Sequence, residues 1–105
     1  MKPEEFFEGM PIVKDVGCIR AKGILLEEAL LILEEECSLK LVHSDNPVKS
    51  FLYEEYGYAG EAYGTEVKVL WMYFRGSVPY LGVAVESKAT WIKLRQKLRD
   101  AGLVR

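Results

Sequence analysis

Apolar and polar residues recur along this chain with spacings that predict both helices and strands. Ile24–Cys37 has a broad apolar arc at helical spacing and glutamates on the opposite side, which predicts a helix. Glu66–Phe74 and Val78–Glu86 are rich in β-branched and aromatic residues and predict strands. Their short, glycine-containing connection favours an antiparallel hairpin. A last helix is predicted to start at a capping Ser87 and to end at Gly102.

Shorter segments fill the intervals between these elements. Asp45 or Asn46 before Pro47 has the pattern of a helix start, since proline at the first helical position loses no needed N–H group. The remaining predictions are a helical turn or packed arm over Pro3–Gly9, strands over Val16–Lys22 and Ser38–His43, a helix over Pro47–Tyr56 and a loop over Gly57–Thr65.

The resulting order, β-α-β-α-β-β-α, predicts one α+β domain spanning residues 1–105. We expect a mainly antiparallel sheet with the helices packed on one face. This order resembles a ferredoxin-like split β-α-β arrangement that has gained a helix. Its last strand would be missing or reduced to Leu103-Val104.

The strand Glu66–Phe74 is unusual because both of its faces are mainly apolar. A strand of this kind is either central and covered on both sides, or has one face against a partner chain. Together with the broad apolar arc of the first long helix, it predicts a homodimer. Leu31 lies in the middle of that helix's acidic face, where it is either an ordinary exposed leucine or an interface anchor. The two faces of the strand carry Val67, Val69, Trp71 and Tyr73, and Lys68, Leu70, Met72 and Phe74.

Composition adds a prediction of location. The longest apolar runs fall far short of the roughly 20 residues that cross a bilayer, and the acidic N-terminus lacks an apolar leader, so we expect a cytoplasmic protein that does not contact membranes. Thirteen Glu against three Asp, with one Asn and one Gln, is typical of hyperthermophile proteins. Cys18 and Cys37 are predicted to be reduced thiols, with a single disulfide bond as the alternative.

Catalytic and ligand motifs are weak throughout the chain. His43, Ser44 and Asp45 are triad residue types, but adjacent side chains on a strand diverge and do not converge on one another. One histidine and two cysteines lack zinc-site spacing, and the glycines from Gly57 to Gly64 lack the lysine of a phosphate-binding loop. We therefore predict no catalytic residue, cofactor or metal. A small enzyme would need a concave pocket near His43 or Glu86.

Tyrosines concentrate between residues 53 and 63, among glycines and glutamates. Tyrosine next to glycine suits a recognition loop. The alternative, which is the more common case, is that Tyr56 and Tyr63 pack in the core and the other tyrosines cover its rim. The predicted partner-binding residues are Tyr53, Tyr58, Tyr63 and Arg75.

Basic residues concentrate in the last helix of a chain whose net charge is −2. They flank its apolar stripe, where they either extend to solvent from a docked helix or contact phosphates. The chain is therefore predicted to be a non-enzymatic binding or regulatory protein that acts through protein–protein contact as a homodimer. The alternative is a nucleic-acid-binding protein that uses Lys88, Lys93, Arg95, Lys97 and Arg99.

Overall fold

The computed structural model describes residues 2–16, 23–45 and 52–104. Within these ranges the chain forms three helices and five strands. None of the helices in these ranges has the length and apolar composition that a membrane crossing requires. In chain order the elements are α1 (Pro3–Phe6), β1 (Ile12–Asp15), α2 (Gly23–Cys37), β2 (Lys40–Asp45), β3 (Tyr53–Ala62), β4 (Thr65–Phe74), β5 (Tyr80–Val85) and α3 (Lys88–Asp100).

The described strands form one sheet in the order β1-β5-β4-β3-β2, and every neighbouring pair is antiparallel. Strands β2 to β5 follow one another across the sheet, and β1 pairs with the remaining edge of β5. The predicted α+β class with an antiparallel sheet is confirmed. β1 and β2, between which α2 lies in the chain, occupy opposite edges with three strands between them. This strand order differs from that of a ferredoxin-like split β-α-β unit.

The main core lies between the sheet and the two long helices. Leu33 of α2 and Leu94 of α3 are fully buried against Val69 of β4 and Val83 of β5. Burying each such side chain contributes about 1.5–3 kcal/mol, so this layer supplies most of the driving force for folding. Helices α2 and α3 therefore share one face of the sheet, as predicted.

The opposite face is covered by α1 and the residues that follow it. Phe7 is buried there against Leu70 and Ala84, with the half-buried Phe6 and Met10 packed around them. This second apolar layer explains why β4 is apolar on both faces. It is the central strand of the sheet, and the same chain covers the part of its second face around Leu70.

Local sequence signals define both ends of α3. The Ser87 hydroxyl accepts a hydrogen bond from the Thr90 amide at 3.2 Å, which satisfies one of the first-turn N–H groups. At the other end Gly102 has a φ of 75°, and the Leu103 amide donates to the Leu98 carbonyl at 2.9 Å. These contacts form a Schellman motif, which requires the left-handed conformation that glycine adopts readily.

Strand β3 overturns two predictions. The helix expected over Pro47–Tyr56 and the loop expected over Gly57–Thr65 are wrong, because Tyr53–Ala62 is a strand paired with both β2 and β4. Of the two proposed caps, Asp45 is the last residue of β2. Asn46 and Pro47 belong to residues 46–51, which lie outside the described residues. Glycine occurs at two positions of this strand because neighbouring atoms leave no room for a Cβ atom. A Cβ at Gly57 would lie 2.6 Å from the Phe6 ring, and one at Gly60 would collide with the Cys37 carbonyl oxygen.

The first described strand, Ile12–Asp15, was not predicted from the sequence. Val16 is buried just after it, and residues 17–22, the rest of the strand predicted over Val16–Lys22 and including Cys18, lie outside the described residues. The second strand is shifted from Ser38–His43 to Lys40–Asp45. Its pairing with β3 is irregular between Leu41 and His43, which changes the alternation that the sequence suggests.

Candidate binding surfaces

A buried polar cluster lies on the α1-covered face of the sheet. Glu55 is 0% exposed, and its carboxylate accepts hydrogen bonds from the Tyr53 hydroxyl and from Nε2 of His43, the latter at 2.5 Å. Alternation along β3 places Tyr53 and Glu55 on the same face. The β2–β3 register places His43 opposite Gly57, which makes it a diagonal neighbour of Glu55. The paired strands β2 and β3 therefore supply these three side chains.

The electrostatics of this cluster indicate an ionised Glu55. Burial raises the pKa of Glu55. Contacts that include the hydrogen bonds from Tyr53 and His43 lower the pKa by a larger amount, so the net pKa is below its ordinary value. Burial, the hydrogen bond to Glu55 and the nearby negative charges raise the pKa of Tyr53. An ionised carboxylate only accepts hydrogen bonds, so Nε2 of His43 carries the proton in this contact. The cluster is thus a buried anion that accepts hydrogen bonds from Tyr53 and His43.

An open groove on this face begins at Tyr53. It has a volume of about 370 Å³ and its surface is mainly apolar. Phe74 and Val78 are 58% and 61% exposed, and the rings of Tyr53 and Phe74 lie 6.1 Å apart. This groove continues the apolar layer that Phe7 covers at Leu70, but α1 reaches it only through Pro3. We name it the aromatic groove and define it by Pro3, Tyr53, Met72, Phe74, Val78 and Tyr80.

The margin of the aromatic groove carries charges of both signs. The exposed Arg75 directly follows Phe74, and its amide donates to the Leu52 carbonyl at 2.8 Å. Burial raises the pKa of Tyr80, and the carboxylates of Asp15 and Glu4 raise it further, so these acidic groups lie on the β5 side of the groove, whereas Arg75 is hydrogen-bonded to Leu52 on the β3 side. A basic group and acidic groups therefore lie at the margin of the same apolar surface.

The four predicted partner-binding residues fall into three places. Tyr53 lines the aromatic groove, and Arg75 lies at its margin next to Phe74. Tyr58 packs against the main core on the opposite face, where burial raises its pKa. Tyr63 lies in the turn between β3 and β4, about 30 Å from Tyr53 at roughly 3.3 Å per strand residue. Its ring contacts Lys93, whose Nζ is 4.6 Å from the ring centroid.

The basic residues of α3 fall into two groups, one in contact with other parts of the chain and one lining a second groove. Lys97 pairs with Glu36 of α2 at 3.8 Å and Lys93 contacts Tyr63, so both lie against their own chain. The other three line a groove of about 580 Å³ between α3 and the edge strand β1. We name it the basic groove and define it by Lys14, Lys88, Trp91, Ile92, Arg95 and Arg99, beside which lie Asp15 and Gln96.

A third concavity, of about 550 Å³, has acidic walls. It is lined by Glu61, Glu66 and Glu86 together with Lys40, and the Glu86 carboxylate accepts a hydrogen bond from the Glu66 amide at 3.1 Å. A pocket therefore does exist near Glu86, one of the two places where a small enzyme would need one. Among the described residues no three histidine, cysteine or acidic side chains group together as a metal site would require.

Comparisons with protein families, curated proteins and solved structures found no match for this chain. The sites are therefore interpreted from their own chemistry. Sequence reasoning missed Glu55, Trp91 and Lys14. Glu55 and His43 are the pair that the sequence could have indicated, because two polar residues at same-face positions of a hairpin become neighbours once its register is known.

Proposed function

We propose that this chain is a non-enzymatic binding protein that forms a homodimer through the aromatic groove. The supporting observation is the exposure of Phe74 and Val78 in a concave apolar surface where the end of β4 meets the first residues of β3 and β5. Large exposed apolar patches on small proteins mark interaction sites. The buried cluster of Tyr53 and Glu55 holds one wall of the groove in place, because the Tyr53 hydroxyl is fixed by the carboxylate.

A second copy is the partner that the charges favour. A two-fold interface brings each patch against itself, with its ends exchanged. Arg75 near one end would then face acidic groups such as Glu4 of the other copy, near Tyr80. Standard interfaces bury about 800 Å² per partner, which is about one-eighth of the 6462 Å² surface of this chain. The groove and its margin, including the exposed Leu52, supply a surface for such a contact.

Light scattering coupled to size-exclusion chromatography tests this proposal. We expect the protein at micromolar concentration to have twice the mass of one chain, and Phe74→Ser to weaken dimerisation about tenfold or more. Leu31→Ser is the matched control, because Leu31 is 62% exposed but lies on α2. The proposal is wrong if the parent protein is a monomer. It is also wrong if Leu31→Ser dissociates the dimer and Phe74→Ser does not.

A charge exchange tests the orientation of the two copies. Arg75→Glu should weaken the dimer, and adding Glu4→Arg should restore it, since the pair of opposite charges is then reversed. Circular dichroism shows whether each variant keeps the fold. If the double variant is as weak as Arg75→Glu alone, the two residues do not face each other across the interface.

We also propose that the protein is cytoplasmic and comes from a thermophilic organism. The composition supports this proposal, and so does Cys37, which is buried as a free thiol in the main core. Burial and the neighbouring charge of Glu36 raise the pKa of the Cys37 thiol to about 11, so the thiol is protected from oxidation.

A further inference from the structure

Basic side chains lie together in the basic groove, on one side of α3. Lys88, Arg95 and Arg99 are separated by seven and four positions, which places them within about 20° of one line along the helix. Lys14 reaches the same groove from β1. Among the described residues that line it, Asp15 is the one carboxylate, although the chain as a whole is negatively charged. This arrangement concentrates positive charge where a polyanion can lie along the helix.

An aromatic side chain lies inside the same groove. Trp91 is half-buried and lines it between the turns that carry Lys88 and Arg95, with the exposed Ile92 beside it. A groove that combines cations with an aromatic surface is the arrangement by which proteins hold single strands, since unpaired bases stack on the ring while phosphates contact the cations. Bases inside a duplex are already stacked and cannot reach such a ring.

We propose that the basic groove binds a short segment of single-stranded nucleic acid without sequence preference. Lys14, Lys88, Arg95 and Arg99 contact phosphates, and Trp91 stacks on a base. From Lys88 to Arg99 the helix rises about 16 Å at 1.5 Å per residue. With at least 3.4 Å between phosphates of one strand, the groove holds no more than about five of them. This site lies at the edge of the sheet face that α2 and α3 cover, whereas the aromatic groove lies on the opposite face.

Fluorescence anisotropy with a labelled oligonucleotide of about ten thymidines tests the proposal at low salt. We expect micromolar binding that weakens as salt rises. If three to four phosphates are contacted, log K should fall against log salt with a slope of about −2 to −3. The intrinsic fluorescence should be quenched on binding. Trp91→Leu should abolish the quenching and weaken binding several-fold, with little change in the salt slope, because it removes a stacking surface and no charge.

The chain offers a matched pair of charge variants on one helix. Lys88→Glu combined with Arg99→Glu should weaken binding about tenfold or more and flatten the salt slope. Lys93→Glu combined with Lys97→Glu makes the same change of net charge on the other flank. It should leave binding within about twofold, apart from a small general electrostatic effect. Circular dichroism and thermal unfolding verify that both double variants are folded.

Four results would overturn the proposal. The first is an absence of binding at low salt, and the second is an equal loss of affinity in the two double variants, which would indicate net charge and not a groove. The third is equal or tighter binding of a duplex of the same length. The fourth is competition by inorganic phosphate or pyrophosphate at the concentrations where the oligonucleotide binds, which would indicate a small-anion site.

Discussion

Replacing Glu55 tests whether the buried carboxylate stabilises the fold. It is 0% exposed and accepts hydrogen bonds from Tyr53 and His43. Hydrogen bonds to a charged group contribute about 1.5–3 kcal/mol each, against about 0.5–1.5 kcal/mol for neutral ones. In Glu55→Gln the amide oxygen can still accept from Tyr53, and the amide nitrogen can donate to a neutral His43. The expected loss is therefore about 2 kcal/mol.

Glu55→Ala is expected to be more damaging. It removes both acceptors and leaves Tyr53 and His43 without this partner, so we expect a loss of about 4 kcal/mol. Urea unfolding followed by circular dichroism at neutral pH measures both values. Glu61→Gln is the control, since Glu61 is an exposed residue on the same face of β3 and should change stability by less than about 0.5 kcal/mol.

The pH dependence gives an independent measurement on the same variants. The pKa of Glu55 is lower in the folded chain than its ordinary value of 4.5. Its stabilisation is therefore complete above pH 4.5 and is lost as the pH falls through the lower, folded pKa. The stability curves of the parent and Glu55→Gln should converge in that acidic range. Parallel curves, or equal stability at neutral pH, would refute the assignment of an ionised, hydrogen-bonded Glu55.

Three further variants or reagents test the packing around the sheet and helices. Gly60→Ala should destabilise the fold by about 2 kcal/mol in urea unfolding, since its Cβ meets the Cys37 backbone carbonyl, which cannot move aside easily. Because burial and Glu36 raise the pKa of Cys37 to about 11, iodoacetamide should label it slowly at neutral pH and rapidly only after unfolding, as measured by mass spectrometry of its peptide. Ser87→Ala should cost about 1 kcal/mol and lower the melting temperature, because the Thr90 amide loses its cap.

Elements governed by local chemistry were predictable from the sequence. α3 follows from the cap at Ser87 and the glycine at Gly102, and the β4–β5 hairpin follows from two apolar runs joined by a short turn. β3 was not predictable in this way. Gly57 and Gly60 are turn residues by composition, and their place in a strand depends on contacts with Phe6 and with the Cys37 backbone, which are distant in sequence.

The same limit applies to the candidate sites. Of the predicted partner residues, Tyr53 lines the aromatic groove and Arg75 lies at its margin, whereas Tyr58 packs against the main core. Glu55 belongs to an acidic stretch that composition alone assigns to solvent. Its burial follows from the register that brings His43 beside it, and a register is fixed only when the sheet assembles.

The position of β1 at the edge of the sheet has a consequence for the order in which the molecule assembles. β2 to β5 pair with their neighbours in sequence, whereas Ile12 meets Val85 across about 70 positions of the chain. Such distant pairs close large loops and form late in folding. The N-terminal segment should therefore dock last and detach first in partial opening. Phe7 would leave with it, so Leu70 would become exposed before the rest of the sheet separates.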